Sequence, residues 1–187
     1  MILTINNQHI DAIHQMCDIA FGDNYITRDY INQYSLSSHK KGFVLIENQL
    51  LVGFILVSFH NAKEMQKEIL HEKEWFTSEC FHYNTIGIIQ QVAIHPDFQR
   101  KGKAEQLLKH SITSFKNTTD LFLCNAWVMK GKTPLRSALI NNGFSLKKVI
   151  NNYWKEDSLN KKYNCKVCGA PPCKCSAEVY LLKTKVD

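Results

Sequence analysis

The chain has 187 residues and a mass of 21.6 kDa, which suits one ordinary domain or one domain with a small appendage. Hydrophobic residues make up 44% and charged residues 21%, a balance that excludes a mainly disordered or collagen-like chain. The longest apolar run, 50–59, has the length of a strand and is far shorter than the roughly 20 residues of a membrane-spanning helix. Since no secretory leader follows Met1, we expect a cytoplasmic protein without a membrane partner.

The formal net charge of +6 is divided unevenly along the chain. Residues 1–97 carry six Lys/Arg against eleven Asp/Glu, and residues 98–187 carry seventeen against six. This asymmetry indicates either one cationic and one anionic partner or two solvated faces of opposite sign. Charge counts alone favour the solvated faces.

Hydrophobic periodicity predicts a mixed α/β fold on one sheet. The predicted strands are 1–5, 42–47, 50–59, 85–94, 121–128, 144–154 and 177–183. The predicted helices are 10–21, 28–36, 62–74, 104–115 and 133–143. Thr133 is expected to cap the last of these helices, with Pro134 at its first position and Gly143 after its end.

A basic loop at 95–104 lies between a predicted buried strand and an amphipathic helix. The start of a helix presents unpaired backbone N–H groups and a partial positive charge, and Gly102 lets a ligand approach that backbone closely. Arg100, Lys101 and Lys103 add positive charge. The pattern fits a pyrophosphate site, and it also fits an ordinary strand-to-helix turn with a solvated basic patch.

Two segments carry a resemblance to a known family. Residues 99–104, Gln-Arg-Lys-Gly-Lys-Ala, resemble the Q/R-x-x-G-x-G/A acetyl-CoA loop of the GNAT N-acetyltransferase superfamily. Residues 139–144, Leu-Ile-Asn-Asn-Gly-Phe, resemble the family's later helix, which ends in Gly-Phe before the sixth strand. The resemblance implies the α/β GNAT fold, a mixed central sheet flanked by helices, in a single acetyltransferase domain over 1–187.

The same resemblance implies acetyl-CoA as the co-substrate. The pantetheine arm would pair with backbone groups of Val92 and Ile94, where the fourth and fifth strands splay apart. The acceptor would dock against the acidic N-terminal helices and 61–84, which favours a cationic amine. The pyrophosphate would bind the backbone amides of Gln99, Arg100, Lys101, Gly102, Lys103 and Ala104.

Two positions that often carry catalytic groups in the family are vacant in this sequence. The family's glutamate on the fourth strand falls on Ile88, and its tyrosine before Gly-Phe falls on Leu139. Both vacancies leave the general base and general acid of the reaction unassigned.

Three polar residues are the remaining catalytic candidates: Gln90, Asn125 and Tyr153. Strand alternation predicts that Gln90 shares a face with Ile88, Val92 and Ile94, where it would orient a water or be a satisfied core amide. Asn125 would line the thioester site or form a hydrogen bond within the sheet. Tyr153 would reach the site from a flanking segment.

Four cysteines lie within eleven positions near the C-terminus, at Cys165, Cys168, Cys173 and Cys175. Four thiolates in one short loop fit tetrahedral zinc with no open position, which predicts a structural zinc knuckle at 158–177 between the last two strands. The final Cys-x-Cys spacing leaves an iron–sulfur cluster or a pair of reactive thiols as alternatives. Lysines surround the knuckle, but no aromatic residue beyond Tyr163 is placed for base stacking, so nucleic acid is not expected.

These patterns predict an acetyl-CoA-dependent N-acetyltransferase that acts on a primary amine of a small molecule or a protein, as a monomer or homodimer. The alternative is a non-catalytic GNAT-fold module that binds CoA or holds a partner through the knuckle. Ile88 and Leu139 keep this alternative open, and turnover with an amine would decide between the two.

Overall fold

A computed structural model describes residues 1–184 of the chain. Its seven strands are β1 Ile2–Thr4, β2 Lys40–Glu47, β3 Leu50–His60, β4 Ile86–Ile94, β5 Leu121–Trp127, β6 Ser145–Ile150 and β7 Ala177–Lys183. Its seven α-helices are α1 Ile10–Phe21, α2 Arg28–Leu36, α3 Ala62–Glu68, α4 Lys73–Cys80, α5 Lys103–Phe115, α6 Arg136–Asn141 and α7 Lys155–Lys161. No helix in this described part of the chain is both long and apolar enough to cross a membrane.

All seven strands form one sheet in the order β1-β2-β3-β4-β5-β7-β6. Neighbouring strands are antiparallel except for β4 and β5, which are parallel. The β2–β3 hairpin turns at Asn48 and Gln49, both with positive φ (48° and 66°), as a two-residue hairpin turn that follows the strand twist requires. The predicted mixed α/β sheet is therefore confirmed.

Helices cover both faces of the sheet, because successive side chains of each strand point to opposite faces and apolar side chains lie on both. On one face, Val57 and Ile89 pack with Leu107 and Leu108 of α5 and with Leu139 of α6. The opposite face carries α1 and α2 at one end and α3 and α4 at the other. We call these the α5 face and the α1 face.

A β-bulge in β4 changes the face on which its side chains lie. Leu56 of β3 pairs with Gln91 and Val57 pairs with Ile89, so Gln90 is the extra residue between them. Val92 packs on the α5 face, whereas Gln90 donates to Ser58 on the α1 face. The predicted common face for Gln90, Val92 and Ile94 is therefore wrong, because the prediction assumed unbroken alternation.

Three predicted element boundaries are also wrong. The segment 62–74 forms two helices instead of one, since the backbone becomes extended at Ile69 (ψ 123°) and Glu72 before α4 adopts a left-handed conformation (φ 58°). The strand predicted over 144–154 ends at Ile150 and is followed by a turn and α7. Thr133 does not cap α6: its carbonyl accepts from Arg136 N–H (3.1 Å) in a preceding turn, and the helix begins at Arg136.

Candidate active site

A cleft passes through the sheet at the place where β4 and β5 diverge. The two strands pair only over Ile86–Ile89 and Leu121–Cys124, and beyond these residues a cavity of about 920 Å³ separates them. Its lining on the α5 face includes Gln99, Arg100, Gly102, Lys103, Ala104 and Leu135. Its lining on the α1 face includes Phe21, Tyr25, Gln90, Gln91, Asn125, Trp127, Trp154 and Tyr163. The cleft therefore connects two chambers, one lined by the loop before α5 and the start of that helix and the other lined by aromatic rings and side-chain amides.

The α5 end of the cleft is a helix N-terminus with unpaired backbone donors. Gly102 is the N-cap residue with φ 72°, and a Cβ added there would meet no atom within 4 Å. The first helical hydrogen bond of α5 runs from Gln106 N–H to Gly102 C=O (3.0 Å), so the N–H groups of Lys103, Ala104 and Glu105 precede it. Backbone donors, open space and the positive end of the helix dipole together form an anion site.

Some groups of the predicted loop are already engaged within the protein. Gln99 N–H donates to Pro96 C=O (3.3 Å), and Lys103 forms an ion pair with Glu47 at the end of β2. Lys101 Nζ donates to Asp97 C=O (2.9 Å), which anchors the loop. The groups that remain to bind an anion are the backbone N–H groups at the start of α5 and the side chain of Arg100, which lines the cleft.

The edge of β4 beyond the bulge presents backbone groups to the cleft. His95 N–H donates to Val52 C=O of β3 (2.9 Å), so Val92 and Ile94, which alternate with it, direct their backbone groups away from β3. The Ile94 carbonyl accepts from Gln99 Nε2 (3.0 Å). The backbone groups of Val92 and the Ile94 N–H thus face the cleft, where an extended ligand could pair with them.

Two side-chain amides face the cleft from opposite strands on its α1 side. Asn125 Nδ2 donates to Tyr153 Oη (2.8 Å), and the buried Gln91 lies beside the phenol groups of Tyr25 and Tyr30. The carbonyl oxygens of both amides, Gln91 Oε1 and Asn125 Oδ1, are buried without a hydrogen-bond partner. An unpaired buried carbonyl is costly, so both oxygens are sites where a donor ligand would be stabilised.

Comparison of the sequence with family models identifies the family of this chain. The model of the acetyltransferase (GNAT) family matches residues 10–130, about two thirds of the chain. The chain belongs to the GNAT acetyltransferase family. A search of curated proteins found no match.

Solved structures show the same GNAT fold at low identity. The ribosomal-protein-S18-alanine N-acetyltransferase of Escherichia coli is 13% identical with a TM-score of 0.67, covering 100% of this chain and 95% of its own. NAA60 of Arabidopsis thaliana with a bisubstrate analogue is 12% identical with a TM-score of 0.72, covering 98% of both chains. The GNAT-like decarboxylase GphF with isobutyryl-CoA is 8% identical with a TM-score of 0.70, covering 99% and 100%. At these identities the likeness establishes the fold and leaves the reaction to the site.

The two vacant family positions are apolar core positions in this GNAT domain. Ile88 is 3% exposed and packs in the core beneath α3 and α4, and Leu139 is fully buried against α5. Cys124 also lines the cleft, but burial raises the pKa of its thiol to about 12. This thiol stays protonated near neutral pH and is poorly suited to forming an acyl-enzyme.

Gln90 belongs to a polar cluster at the edge of the cleft. Its Nε2 donates to Ser58 Oγ (2.9 Å) and to Glu68 Oε2 of α3 (3.3 Å). Ser58 Oγ also lies 2.8 Å from His60 Nε2, and burial lowers the pKa of His60. Because both amide hydrogens of Gln90 are engaged, its Oε1 is the atom left to accept from a ligand.

Tyr153 lies behind Asn125 and outside the lining of the cleft. It is 2% exposed, and burial raises the pKa of its phenol. A proton-donor role for Tyr153 stays a prediction, and its geometry favours positioning Asn125.

The four knuckle cysteines converge as predicted. Their Sγ atoms all lie within 4.8 Å of one another, with separations of 3.8 Å for Cys165–Cys175, 3.4 Å for Cys168–Cys175 and 4.0 Å for Cys168–Cys173. A tetrahedral zinc site with Zn–S bonds of about 2.3 Å requires sulfur separations of about 3.8 Å. Backbone N–H groups of Val167 and Cys168 donate to Cys165 Sγ (3.4 and 3.5 Å) and hold this sulfur in place within the turn.

Sequence reasoning missed Gln91, Ser58, His60 and Glu68. Gln91 is the neighbour of the predicted catalytic residue Gln90. No local sequence pattern reveals the bulge that places both amides on the α1 face. Ser58 lies near the end of the predicted strand 50–59 and His60 one residue beyond it, so extending the strand by one residue would have put both on one face.

Proposed function

We propose that this GNAT domain transfers an acetyl group from acetyl-CoA to a primary amine by direct attack on the thioester. The observation that carries the proposal is the cleft between β4 and β5, which links an anion site at the start of α5 to a separate chamber on the α1 face. A donor held from one side and an acceptor held from the other meet where the strands diverge. Proximity and orientation of this kind supply much of the rate of an acyl transfer.

Acetyl-CoA would occupy the α5 side. Its pyrophosphate would accept hydrogen bonds from the backbone around Gly102 and Ala104, and its pantetheine arm would extend along Val92 and Ile94 as an added strand. The thioester would then lie near Cys124, the last residue of β5 that pairs with β4, and near Asn125, which follows it.

The amine would occupy the α1 side. Gln91 Oε1 and Asn125 Oδ1 offer two unpartnered acceptors for its N–H groups, and both are neutral, so the nucleophilic neutral amine is held without an ion pair. The nitrogen lone pair forms the C–N bond, the C–S bond breaks, and the CoA thiolate takes up a proton from solvent. The proton lost by the amine would pass to solvent at Gln90, whose Oε1 would orient a water.

The lining indicates an acceptor with an apolar group next to its amine. Rings surround this side of the cleft, from Phe21, Tyr25, Trp127, Trp154 and Tyr163. Among the described lining residues the one carboxylate is Glu105, at the start of α5, whereas four are basic. The cationic acceptor expected from the acidic half of the sequence thus has no carboxylate to pair with in the lining on the α1 face. Glu68 contacts Gln90 but does not belong to the lining.

We also propose that Cys165, Cys168, Cys173 and Cys175 hold a structural Zn²⁺. Their sulfur separations fit a tetrahedral site, and three of the four side chains are buried. When bound, the ion would supply a rigid crosslink between the two halves of the knuckle and no open position for catalysis.

The test combines binding with turnover. The thermal unfolding midpoint is measured with and without acetyl-CoA on protein of known zinc content, and CoA release is then followed with a panel of aromatic, aliphatic and cationic primary amines and short peptides. A rise in midpoint with steady CoA release from an amine supports the enzyme. A rise with no release from any amine supports the alternative, a non-catalytic CoA-binding module, which the apolar residues Ile88 and Leu139 favour.

A further inference from the structure

The cysteine knuckle is docked on the end of α1 and the loop that follows it. Lys166 N–H donates to Phe21 C=O (3.0 Å), and Asn164 N–H donates to Asp23 C=O (3.2 Å). Lys166 Nζ also bonds to the Ile19 carbonyl. Between these contacts Gly22 lies so close that an added Cβ would be 1.8 Å from Asn164 O. The backbone of the knuckle thus fits directly against residues 19–23.

An aromatic seam continues the same contact into the cleft. The rings of Tyr25 and Tyr163 meet edge to face at 4.9 Å, and Phe21 lies 5.3 Å from Tyr25 and 6.3 Å from Trp127. Tyr163 packs with the buried Cys165, Cys173 and Cys175 in one cluster, to which Tyr25 and Trp127 also belong. The ring contacts therefore connect the cysteine cluster to the lining of the acceptor chamber.

The phosphate-binding end of the cleft depends on other contacts. Its loop is held by the Gln99–Ile94 and Lys101–Asp97 hydrogen bonds and by the Lys103–Glu47 ion pair. None of these three contacts involves the knuckle or α1. The two ends of the cleft are thus supported by separate parts of the fold.

We propose that the metal-bound knuckle is the wall of the acceptor chamber, so that metal occupancy determines whether the amine acceptor can bind and leaves acetyl-CoA binding unchanged. The proposal rests on the proposed zinc site and on the proposed acceptor chamber. Without a metal the four thiols are no longer crosslinked, and the segment that holds Phe21 and Tyr25 in place loses its rigid support. The chamber on the α1 face would then open while the anion site at α5 persists.

Amide hydrogen exchange of the whole protein tests this without a known acceptor. Zinc-loaded protein and protein stripped by a chelator are compared in peptides covering 17–27 and 99–106, and acetyl-CoA affinity is measured by calorimetry on both samples. We expect exchange in 17–27 to rise at least tenfold on metal removal, with 99–106 and the acetyl-CoA dissociation constant within twofold. Unchanged exchange in 17–27 would overturn the proposal, and so would an equal rise in both peptides.

Variants separate docking from metal binding. Gly22→Ala and Lys166→Met leave all four ligands in place, so each is expected to keep one zinc per chain and still raise exchange in 17–27. Cys80→Ser removes a buried cysteine from a different core and is expected to change neither zinc content nor exchange in 17–27. If Lys166→Met and Gly22→Ala both keep the slow exchange of the parent, the docking contacts do not support the wall. Loss of acetyl-CoA binding in zinc-loaded protein with the exchange effect intact would instead refute the proposed transferase.

Discussion

Replacing Gly102 by alanine separates the phosphate-binding role of the loop from its backbone strain. Gly102 caps α5 with φ 72°, and a methyl there would project into open space at the helix N-terminus. Gly131 is a matched control, because its φ is 76° and an added Cβ again meets nothing within 4 Å. Gly131→Ala therefore carries the same strain at a residue that does not itself line the cleft.

The expected magnitudes follow from the geometry. An L-residue in the left-handed region costs about 1–2 kcal/mol, so both variants should lose about 2–8 °C in unfolding midpoint. Acetyl-CoA at a hundred times its dissociation constant stabilises the parent by about 2.7 kcal/mol. Loss of one hydrogen bond to the charged pyrophosphate is worth about 1.5 kcal/mol or more, a factor of at least ten in affinity, which reduces this stabilisation to about 1.4 kcal/mol or less.

Differential scanning calorimetry with and without acetyl-CoA measures both effects at once. Gly131→Ala should keep the full ligand-induced shift of the parent, and Gly102→Ala should keep about half of it or less. A full shift in Gly102→Ala would refute the reasoning, since the pyrophosphate would then not approach the backbone at this residue.

Three further predictions concern the amides, pH and salt. Asn125→Ala should lower kcat/KM for a working amine at least tenfold and leave the rise in unfolding midpoint caused by acetyl-CoA unchanged. Tyr153→Phe should lower kcat/KM less. If Asn125→Ala has the kinetics of the parent, the amide pair does not hold the amine. Burial lowers the pKa of His60 below 6.5, so the unfolded chain takes up a proton at this residue before the folded chain does, and the free energy of unfolding falls as pH drops through 6.5. Urea unfolding between pH 5 and 7.5 should show a smaller fall in the free energy of unfolding for His60→Asn. The acetyl-CoA dissociation constant should rise with NaCl, and calorimetry should find a weaker dependence in Arg100→Gln.

The anion loop could be predicted from sequence because its determinants are local. A buried strand that ends before Pro96, small residues at the turn and an amphipathic helix are enough to place an N-terminus that faces open space. The knuckle was predictable for the same reason, since Cys165 and Cys175 are close in sequence as well as in space. Their local patterns needed no knowledge of the tertiary fold.

The amide pair and the docked knuckle could not be predicted because tertiary pairing determines them. The bulge at Gln90 arises from the register between β3 and β4, and no residue near Gln90 in the sequence predicts it. Tyr153 falls within the predicted strand 144–154, yet Asn152 before it has φ 54° and turns the chain out of β6. The contact of Lys166 with Phe21 joins segments 145 residues apart.

Folding also changes what the charge asymmetry of the sequence means. Two carboxylates of the acidic half, Glu47 and Glu72, pair with Lys103 and Lys148 of the basic half. In each pair two opposite charges lie side by side, so these four residues do not extend a face of a single sign. The class of acceptor therefore has to be judged from the groups that line the chamber. Those groups include aromatic rings and the neutral amides of Gln90, Gln91 and Asn125, which is why we propose a neutral amine beside an apolar group rather than a polycation.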